Sequence, residues 1–323
     1  MRRVLAALAA GAFLVTVSAC GSSGDDSGSD KASSPGGTTT VKVGVIPIVD
    51  VAPLYLGQEK GFFKKRGLEL DISLAQGGAA IVPAVASGQY QFGFSNSTSL
   101  MIAQSNNVPV KVVSNGIAST GVQGKDFGAL TVKGDSPIKT ADQLEGKKIA
   151  INTLKNINET AVRASVRKAG GDPDEVKFVE LAFDQMPAAL DGGDVDAAMV
   201  VEPALATVKS QGGREIASPL VDVAPNLTVA MYFTSASYER QNAALVTKFK
   251  DALAESLSYA DAHPDEARQI VTTYTKIPAA VLAKVTLPAW PADPNRASLD
   301  ALEKLGQDDG LFQTAPDLDK LLP

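Results

Sequence analysis

Hydrophobic and polar positions follow short blocks along this chain, and the blocks switch between a period of two and a period of three to four. Alternating or continuous apolar runs predict strands, and amphipathic runs between them predict helices. The first predicted series has strands at 41–46, 68–74, 90–94 and 108–113, and helices at 55–63, 79–87 and 99–105. This order is typical of an α/β sheet covered by helices.

A second series repeats the alternation. Its predicted strands are 129–132, 148–152, 176–181 and 195–201, and its predicted helices are 140–144, 158–169 and 185–190. The stretches "AVASGQYQFGF" and "ALDGGDVDAAM" both run from a helix through a glycine, Gly88 or Gly193, into an alternating strand. The two halves therefore predict two α/β lobes, each with a loop at the carboxyl end of a comparable strand, where open α/β sheets bind ligands.

The remainder of the chain is mostly helical in pattern. One more strand is predicted at "NLTVAMYFTS", followed by helices at 239–262, 264–274, 279–287 and 297–306. Because no third α/β series follows, we expect this part to pack back onto the first lobe. That arrangement makes lobe 1 from 41–130 plus 229–323 and lobe 2 from 131–228, joined by two crossing strands near Leu130 and Val229.

Composition and charge then exclude some classes of protein. The 323 residues are 45% hydrophobic and 20% charged, as in a soluble globular protein. A formal net charge of −6, with scattered basic residues, excludes a sequence-independent grip on nucleic acid. With one histidine, His263, and one cysteine, Cys20, the chain lacks the common zinc and His-dependent nucleophile motifs. We expect no enzyme activity, no cofactor and no metal site.

The N-terminus has the layout of an export signal. Two arginines and an apolar run from Val4 to Val17 precede small residues and Cys20. Val17-Ser18-Ala19-Cys20 resembles a bacterial lipobox, in which the cysteine is lipidated; the alternative is an ordinary signal peptide that contains a cysteine. Residues 21–40 are polar and glycine-rich and predict a flexible tether. The body is therefore expected at the extracytoplasmic face of the cytoplasmic membrane, anchored by lipid on Cys20.

Several stretches in order resemble one family. They are the lipobox, "VKVGVIPIVDVAPLYLGQEKGFFKKRGLELDI", "GGAAIVPAVASGQYQFGF", "ADQLEGKKIAI" and "AALDGGDVDAAMVVEP". Together they resemble the solute-binding proteins of bacterial ABC importers that bind sulfonates, nitrate, taurine and thiamine precursors. The resemblance implies a type II periplasmic-binding-protein fold, a monomer that closes two lobes on a small molecule, and delivery of that molecule to ABC permease subunits.

Candidate ligand-binding residues in the first lobe lie where strands end. The stretch "FSNSTS" places hydroxyl and amide side chains between a strand and a helix, where free N–H groups favour an anionic or polar group. The alternative is that one residue is a plain N-cap and the others are solvated. For Asp50 the alternative to ligand binding is the start of a helix. For Gly77 and Gly78 the alternative is a structural turn. The first-lobe candidates are Asp50, Gly77, Gly78, Ser95, Asn96, Ser97 and Thr98.

The second lobe contributes "NTLKNINET" and two acidic positions. Relatives have a glycine- and hydroxyl-rich stretch at the first of these, and this sequence departs from it. Asn158 is predicted as an N-cap, Lys155 as a cleft cation or a surface residue, Asp184 as a ligand or a cap, and Glu202 as a strand-end carboxylate or a helix-start acid. The second-lobe candidates are Lys155, Asn156, Asn158, Asp184 and Glu202.

These donors and carboxylates suggest a solute with an anionic end and an amine or N–H end. A sulfonate or taurine-like molecule fits, and an aminopyrimidine bound to Glu202 is an alternative. Nitrate fits less well because carboxylates repel it. A lipid-anchored sensor domain without an importer also remains open. Trp290 is expected in the core or as an aromatic lid.

Overall fold

A computed structural model describes residues 37–323. The strands are β1 Thr39–Val45, β2 Leu68–Leu74, β3 Phe92–Asn96, β4 Val110–Ala118, β5 Gly128–Val132, β6 Lys148–Ile151, β7 Lys177–Glu180, β8 Ala197–Val201, β9 Arg214–Ala217 and β10 Thr228–Ser235. The α-helices are α1 Ala52–Glu59, α2 Gly78–Ala86, α3 Ser97–Ser105, α4 Ile157–Lys168, α5 Met186–Gly192, α6 Ala204–Ser210, α7 Pro219–Val223, α8 Ala236–Gln241, α9 Ala243–Ala262, α10 Pro264–Ile270, α11 Ala279–Leu282, α12 Arg296–Asp308 and α13 Leu318–Leu321.

The strands form two five-stranded sheets of related design. The first sheet has the order β2-β1-β3-β10-β4, and the second has the order β7-β6-β8-β5-β9. In each sheet three strands are parallel and a fourth, β10 or β5, runs antiparallel to the third. The first sheet and its helices form the first lobe, and the second sheet with its helices forms the second lobe. The two-lobed α/β architecture predicted from the hydrophobic pattern is confirmed.

The chain passes between the sheets twice. It leaves β4 at Ala118 and enters β5 at Gly128, and it leaves β9 at Ala217 and enters β10 at Thr228. Leu130 lies within β5 of the second sheet, and Val229 lies within β10 of the first. The lobe boundaries drawn through these two residues stay a prediction.

Several element bounds differ from the sequence expectation. β3 ends at Asn96 rather than at Phe94, and α3 begins directly at Ser97. β4 continues through "SNGIA" to Ala118, because this stretch is buried and pairs with β10 despite its Ser, Asn and Gly. The short strand β9 was not predicted. Burial and pairing override local propensity at these positions.

The C-terminal part bridges the two lobes instead of packing on the first lobe alone. α9 and α10 pack on α1 of the first lobe, as expected. However, α11 packs on α6, and α12 packs against α3 of the first lobe and also against α4 and α7 of the second. Arg167 of α4 pairs with Asp309 at the end of α12. This segment therefore adds contacts between the lobes beyond the two crossings.

The predicted signal segment and Cys20 lie outside the described residues, as does most of the predicted tether. Thr39 and Thr40, placed in the tether by composition, belong to β1. Between residues 37 and 323, no helix is long and apolar enough to cross a membrane.

Candidate functional site

The two lobes face each other across a cleft at the carboxyl ends of β1, β2 and β3 in the first sheet and of β6, β7 and β8 in the second. Parallel strands end at a common sheet edge, so the loops that follow them meet in this cleft. Ser95 and Asn96 are the last two residues of β3. The other candidate residues lie on these loops or on the first turns of the helices after them. What each side chain does there depends on its partners.

The polar cluster at the junction of β3 and α3 divides into two structural and two unpartnered residues. Asn96 is the N-cap of α3, and its Oδ1 accepts the Ser99 N–H at 2.8 Å. Ser97 Oγ donates to the Thr228 carbonyl at 2.8 Å and so ties α3 to β10. In contrast, Ser95 Oγ and Thr98 Oγ1 are fully buried and have no hydrogen-bond partner among residues 37–323. Because a buried hydroxyl normally has a partner, these two are the best candidates for contact with a ligand.

The glycine pair at the start of α2 is packed against both lobes. A β-carbon at Gly78 would lie 2.2 Å from Ser95 Oγ, and one at Gly77 would lie 3.0 Å from Thr153 Cγ2 of the second lobe. Gly78 therefore needs to be glycine for this close approach, and Gly77 is tightly packed. α2 starts without a side-chain cap. Gly78 borders the unpartnered Ser95, which favours a role in the site over a simple turn.

A pair of side chains missed by sequence reasoning joins the lobes beside these glycines. Gln76 Nε2 donates to the Asn152 carbonyl at 3.1 Å, and Asn152 Nδ2 donates to the Gln76 carbonyl at 3.4 Å. No local pattern marks two residues that are 76 positions apart. Their reciprocal bonds hold the cleft closed at this point.

The asparagines after β6 form one buried network. Asn156, not Asn158, is the N-cap of α4, and its Oδ1 accepts the Asn158 and Glu159 N–H groups. The Nδ2 groups of Asn156 and Asn158 both donate to Asn152 Oδ1 at 2.8 Å. The network therefore shapes the loop that faces Gln76 and Gly77, and it leaves little of these amides free for a ligand.

Replacing Asn156 with Ala tests this reading of the loop. We expect the free energy of unfolding to fall by about 2 kcal/mol, because both a helix cap and a donor to Asn152 are lost. Asn96→Ala, which removes one cap bond, should cost about 1 kcal/mol. Urea unfolding of both variants measures the difference, and equal losses would contradict a networked role for Asn156.

Lys155 and Asp184 are exposed at the edge of the cleft. Lys155 adopts a left-handed backbone conformation with φ of 52°, and its N–H donates to Glu159 Oε2 at 2.8 Å. Asp184 makes no cap bond to α5, whose N-cap is Gln185. Neither side chain is therefore placed to enclose a solute in a buried site.

Asp50 is a buried carboxyl at the base of the first lobe. It is 3% exposed, and its Oδ1 has no partner. Burial raises its pKa to about 8, the N–H of Asp50 itself opposes this rise, and the nearby charge of Asp126 adds to it. The charge of Asp50 also helps to raise the pKa of the buried Tyr232 hydroxyl, which has no partner either. Burial therefore favours the protonated form of the Asp50 carboxyl.

Glu202 is a buried carboxyl that links the second lobe to the C-terminal segment. Its Oε1 accepts the Thr286 N–H at 3.0 Å, and its Oε2 accepts the Ala206 N–H at 2.9 Å. Its carbonyl accepts the Val49 N–H at 3.1 Å. Burial raises its pKa to about 7 even though these two N–H groups and Lys209 lower it. The structure thus gives its carboxylate two protein partners from two parts of the chain.

A cavity of about 680 Å³, here called the interlobe chamber, opens between the lobes. Its lining comes from the segments 46–48, 74–76, 182–188, 203–211 and 274–278. The size is that of a pocket for a small organic molecule. Asp184 lies on its wall, whereas Asp50 and Glu202 are buried and are not among its lining residues.

Tyr274 connects the chamber to the first lobe. Its hydroxyl donates to the Ile48 carbonyl at 3.1 Å, and its ring stacks on Tyr55 with centroids 4.0 Å apart. Residues 48 and 274 are far apart along the chain, so no local sequence pattern predicts this wall. Trp290 is 6% exposed and lies in the core, away from the chamber lining.

The comparisons with solved structures show the fold. The chain matches the alkanesulfonate-binding protein SsuA from Xanthomonas axonopodis pv. citri bound to MOPS with a TM-score of 0.73 at 16% identity, covering 90% of this chain and 100% of that one. It matches the periplasmic nitrate-binding protein NrtA from Synechocystis PCC 6803 with a TM-score of 0.74 at 15% identity, covering 88% of this chain and 86% of that one. The fold is therefore that of a type II periplasmic binding protein, as the resemblance implied.

The sequence comparisons identify the family of this chain. The taurine-binding periplasmic protein of Escherichia coli (strain K12) is 31% identical over 151 residues, which cover 47% of this chain and 45% of that protein. The match thus spans less than half of this relative's length. Residues 48–267 match the family described as NMT1/THI5 like. Because this match extends over more than half of the chain and includes its strand-end loops, the chain belongs to the NMT1/THI5 like family.

Proposed function

We propose that the protein is an extracytoplasmic substrate-binding lipoprotein of an ABC importer. It captures a small organic solute between its two lobes and delivers the solute to permease subunits. The observation that carries this proposal is a chamber of about 680 Å³ that is lined by residues of both lobes. The buried hydroxyls of Ser95 and Thr98, which have no hydrogen-bond partner among residues 37–323, give it further support. A closing cleft requires that the solute favour the closed state, so both lobes contribute to affinity.

Different observations support different candidate solutes. The names of the relatives, which bind taurine or alkanesulfonates, support a sulfonate or taurine-like solute for this chain. The buried carboxyl of Asp50 supports instead a solute with N–H groups, such as an aminopyrimidine. Nitrate is a further alternative, supported by the fold likeness to a nitrate-binding protein.

We rank the proposed ligand-contacting residues by whether their polar atoms already have hydrogen-bond partners in the protein. Ser95, Thr98 and Gly78 are best placed in the first lobe, and Asp184 lies on the chamber wall. Asn96, Ser97, Asn156, Asn158 and Glu202 act mainly by shaping the cleft, because their polar atoms already have protein partners.

The remaining parts of the proposal concern place and partners. We propose lipidation of Cys20, anchoring at the extracytoplasmic face of the membrane, and a monomeric body. We also propose that the protein is not an enzyme. His263, the sole histidine, supports this because its Nδ1 bonds to the Tyr259 carbonyl at 2.8 Å and its ring stacks on Tyr259, outside the cleft.

Thermal unfolding against taurine, alkyl sulfonates, nitrate, aromatic carboxylates and aminopyrimidines tests solute capture. A solute at a hundredfold its dissociation constant adds about 2.7 kcal/mol of stability, so the midpoint should rise by several degrees. The double variant Ser95→Ala, Thr98→Ala should weaken binding about fivefold or more, because each removed hydroxyl contributes about 0.5–1.5 kcal/mol.

Ser105→Ala is the matched control. Ser105 is a buried serine of α3, and its Oγ donates to the Thr314 carbonyl away from the cleft, so its loss should lower stability without changing affinity. Unchanged affinity in the double variant would contradict the site. Uptake of the bound solute by cells with and without this protein then separates an importer subunit from a sensor, because a sensor leaves uptake unchanged.

A further inference from the structure

A second cavity lies on the first lobe, away from the interlobe chamber. It has a volume of about 390 Å³, and none of its lining residues lines the chamber. Its walls come mainly from the middle of β4, from one face of α9 and from the segment 290–294. The volume is within the range of pockets that hold small organic molecules. We call it the edge cavity, because β4 is an edge strand of the first sheet.

The edge of β4 is covered only in part, which leaves room for this cavity. Ala118 and Ala289 exchange both backbone hydrogen bonds, at 2.9 and 3.0 Å, as an isolated antiparallel bridge. The next bonded pair of such a ladder would be Gly116 and Pro291, but proline has no N–H to donate. Asn115 Nδ2 donates to the Pro291 carbonyl at 2.7 Å instead. The ladder therefore ends after one bridge, and the space between β4, α9 and the segment 290–294 stays open.

Two buried polar groups on the cavity wall lack a partner. Asn115 Oδ1 and Trp290 Nε1 make no hydrogen bond within the part of the chain that the structure describes, and their residues are 1% and 6% exposed. Buried groups of this kind normally have partners. The amide oxygen can only accept a hydrogen bond, and the indole N–H can only donate one. The wall therefore has one unused acceptor and one unused donor.

The other lining residues favour a ligand with an apolar body. Val113 and Leu257 contribute apolar side chains from β4 and α9. The charged lining residues are Lys250, Asp261 and Asp293, and all three are exposed. Exposed charges of both signs are screened by water, so they select weakly between charged ligands. Selectivity in this cavity therefore depends on its two buried polar groups.

The chemistry of these two groups fits an uncharged head that both donates and accepts. A carboxylate offers acceptors alone, so it would leave Asn115 Oδ1 without a donor. An ammonium group offers donors alone, so it would leave Trp290 Nε1 without an acceptor. A carboxamide carries a carbonyl oxygen and N–H donors in one planar group and can serve both.

We propose that the edge cavity is a second ligand site, which binds an uncharged carboxamide with an apolar body. The ligand carbonyl accepts from Trp290 Nε1, and the ligand N–H donates to Asn115 Oδ1. Both protein atoms are covered in this structure, so binding requires a shift of the segment 290–294, which joins β4 through the Ala118–Ala289 bridge and the Asn115–Pro291 bond. The inference does not depend on solute capture, because the two cavities share no lining residue.

Three molecules with the same branched apolar body test the choice of head group. Isovaleramide, isovalerate and isoamylamine carry a carboxamide, a carboxylate and an ammonium group. Trp290 is the sole tryptophan of the chain, so its fluorescence reports on this wall, and isothermal titration gives the affinities. We expect isovaleramide to bind about tenfold more tightly than the other two, because each of those leaves one buried group without a partner. Equal or weaker binding of the amide, or no saturable binding by either method, would overturn the inference.

A side chain that fills the edge cavity tests the place of binding. Ala254 is an exposed residue of α9 that lines the cavity, so Ala254→Phe occupies the space without removing a buried contact. This variant should lose saturable binding of isovaleramide. Ala244→Phe is the matched control, since Ala244 is exposed on the same helix and does not line the cavity, and it should bind the amide like wild type. Wild-type affinity in Ala254→Phe would show that the amide binds elsewhere and would overturn the inference.

Trp290→Phe tests the assigned donor, because it keeps an aromatic ring and removes the N–H. The variant should lose most of the preference for isovaleramide over isoamylamine, as measured by isothermal titration, since the carbonyl no longer has a donor to pair with. An unchanged preference would contradict the role of Trp290 Nε1 and overturn the choice of head group.

Discussion

Replacing Asp50 with Asn is expected to stabilise the folded protein more and more as the pH rises from about 4 to about 8. The pKa of Asp50 is raised from 3.8 to about 8, first by burial and further by the charge of Asp126, against the N–H of Asp50 itself. In this range the folded protein keeps the proton while the unfolded chain releases it. The contribution of Asp50 to stability is therefore complete below pH 3.8 and is lost as the pH rises through about 8.

The Asn side chain does not titrate, so the difference between variant and wild type grows by at most about 1.4 kcal/mol per pH unit in this window. Urea unfolding at several pH values measures it. Asn96→Ala is the control, because it removes a cap bond without removing a titrating group, and its cost should not depend on pH. A constant difference for Asp50→Asn would mean that Asp50 is ionised in the folded protein and has a partner there.

Glu202→Gln provides a second comparison with a different outcome at low pH. The pKa of Glu202 is raised from 4.5 to about 7, so its contribution is lost between these two values as the pH rises. Its two oxygens accept N–H groups from Thr286 and Ala206, and Gln can serve only one of them as an acceptor. The variant should therefore be less stable than wild type at low pH, unlike Asp50→Asn.

Replacing Phe249 with Ala is expected to lower the free energy of unfolding of the first lobe by about 3–5 kcal/mol. Phe249 of α9 is fully buried and stacks on Phe92 of β3, with centroids 3.8 Å apart and planes 5° apart. Its ring also meets Phe63 and Tyr232 at 5.6 and 6.4 Å. The substitution leaves a cavity among these rings that the rigid sheet cannot fill.

Urea unfolding with tryptophan fluorescence from Trp290, the sole tryptophan of the chain, follows this change. Phe183→Ala is the matched control. Phe183 is half-buried on the chamber wall, so its loss should cost less stability than that of Phe249. A cost below 1 kcal/mol for Phe249→Ala would contradict the role of this aromatic cluster in fixing α9 to the first sheet.

Most of the strands and helices could be predicted from the hydrophobic pattern. The switch between periods of two and of three to four found both series of strands and helices, and the glycines Gly88 and Gly193 marked equivalent turns. These features depend on neighbours in the chain, which the sequence shows directly. The pattern did less well at β4, where pairing with β10 extends a strand through Ser114, Asn115 and Gly116.

The candidate site was located by the sequence but not resolved by it. The sequence determined that polar residues such as Ser95, Asn96 and Glu202 lie at the ends of buried strands of an α/β fold. Only the tertiary structure decided which of them are free, because a hydrogen-bond partner can come from any part of the chain. Glu202 meets Thr286, 84 residues away, whereas Ser95 meets no partner. The interlobe chamber was likewise decided by tertiary packing, since it brings together five separated segments whose common wall no local pattern encodes.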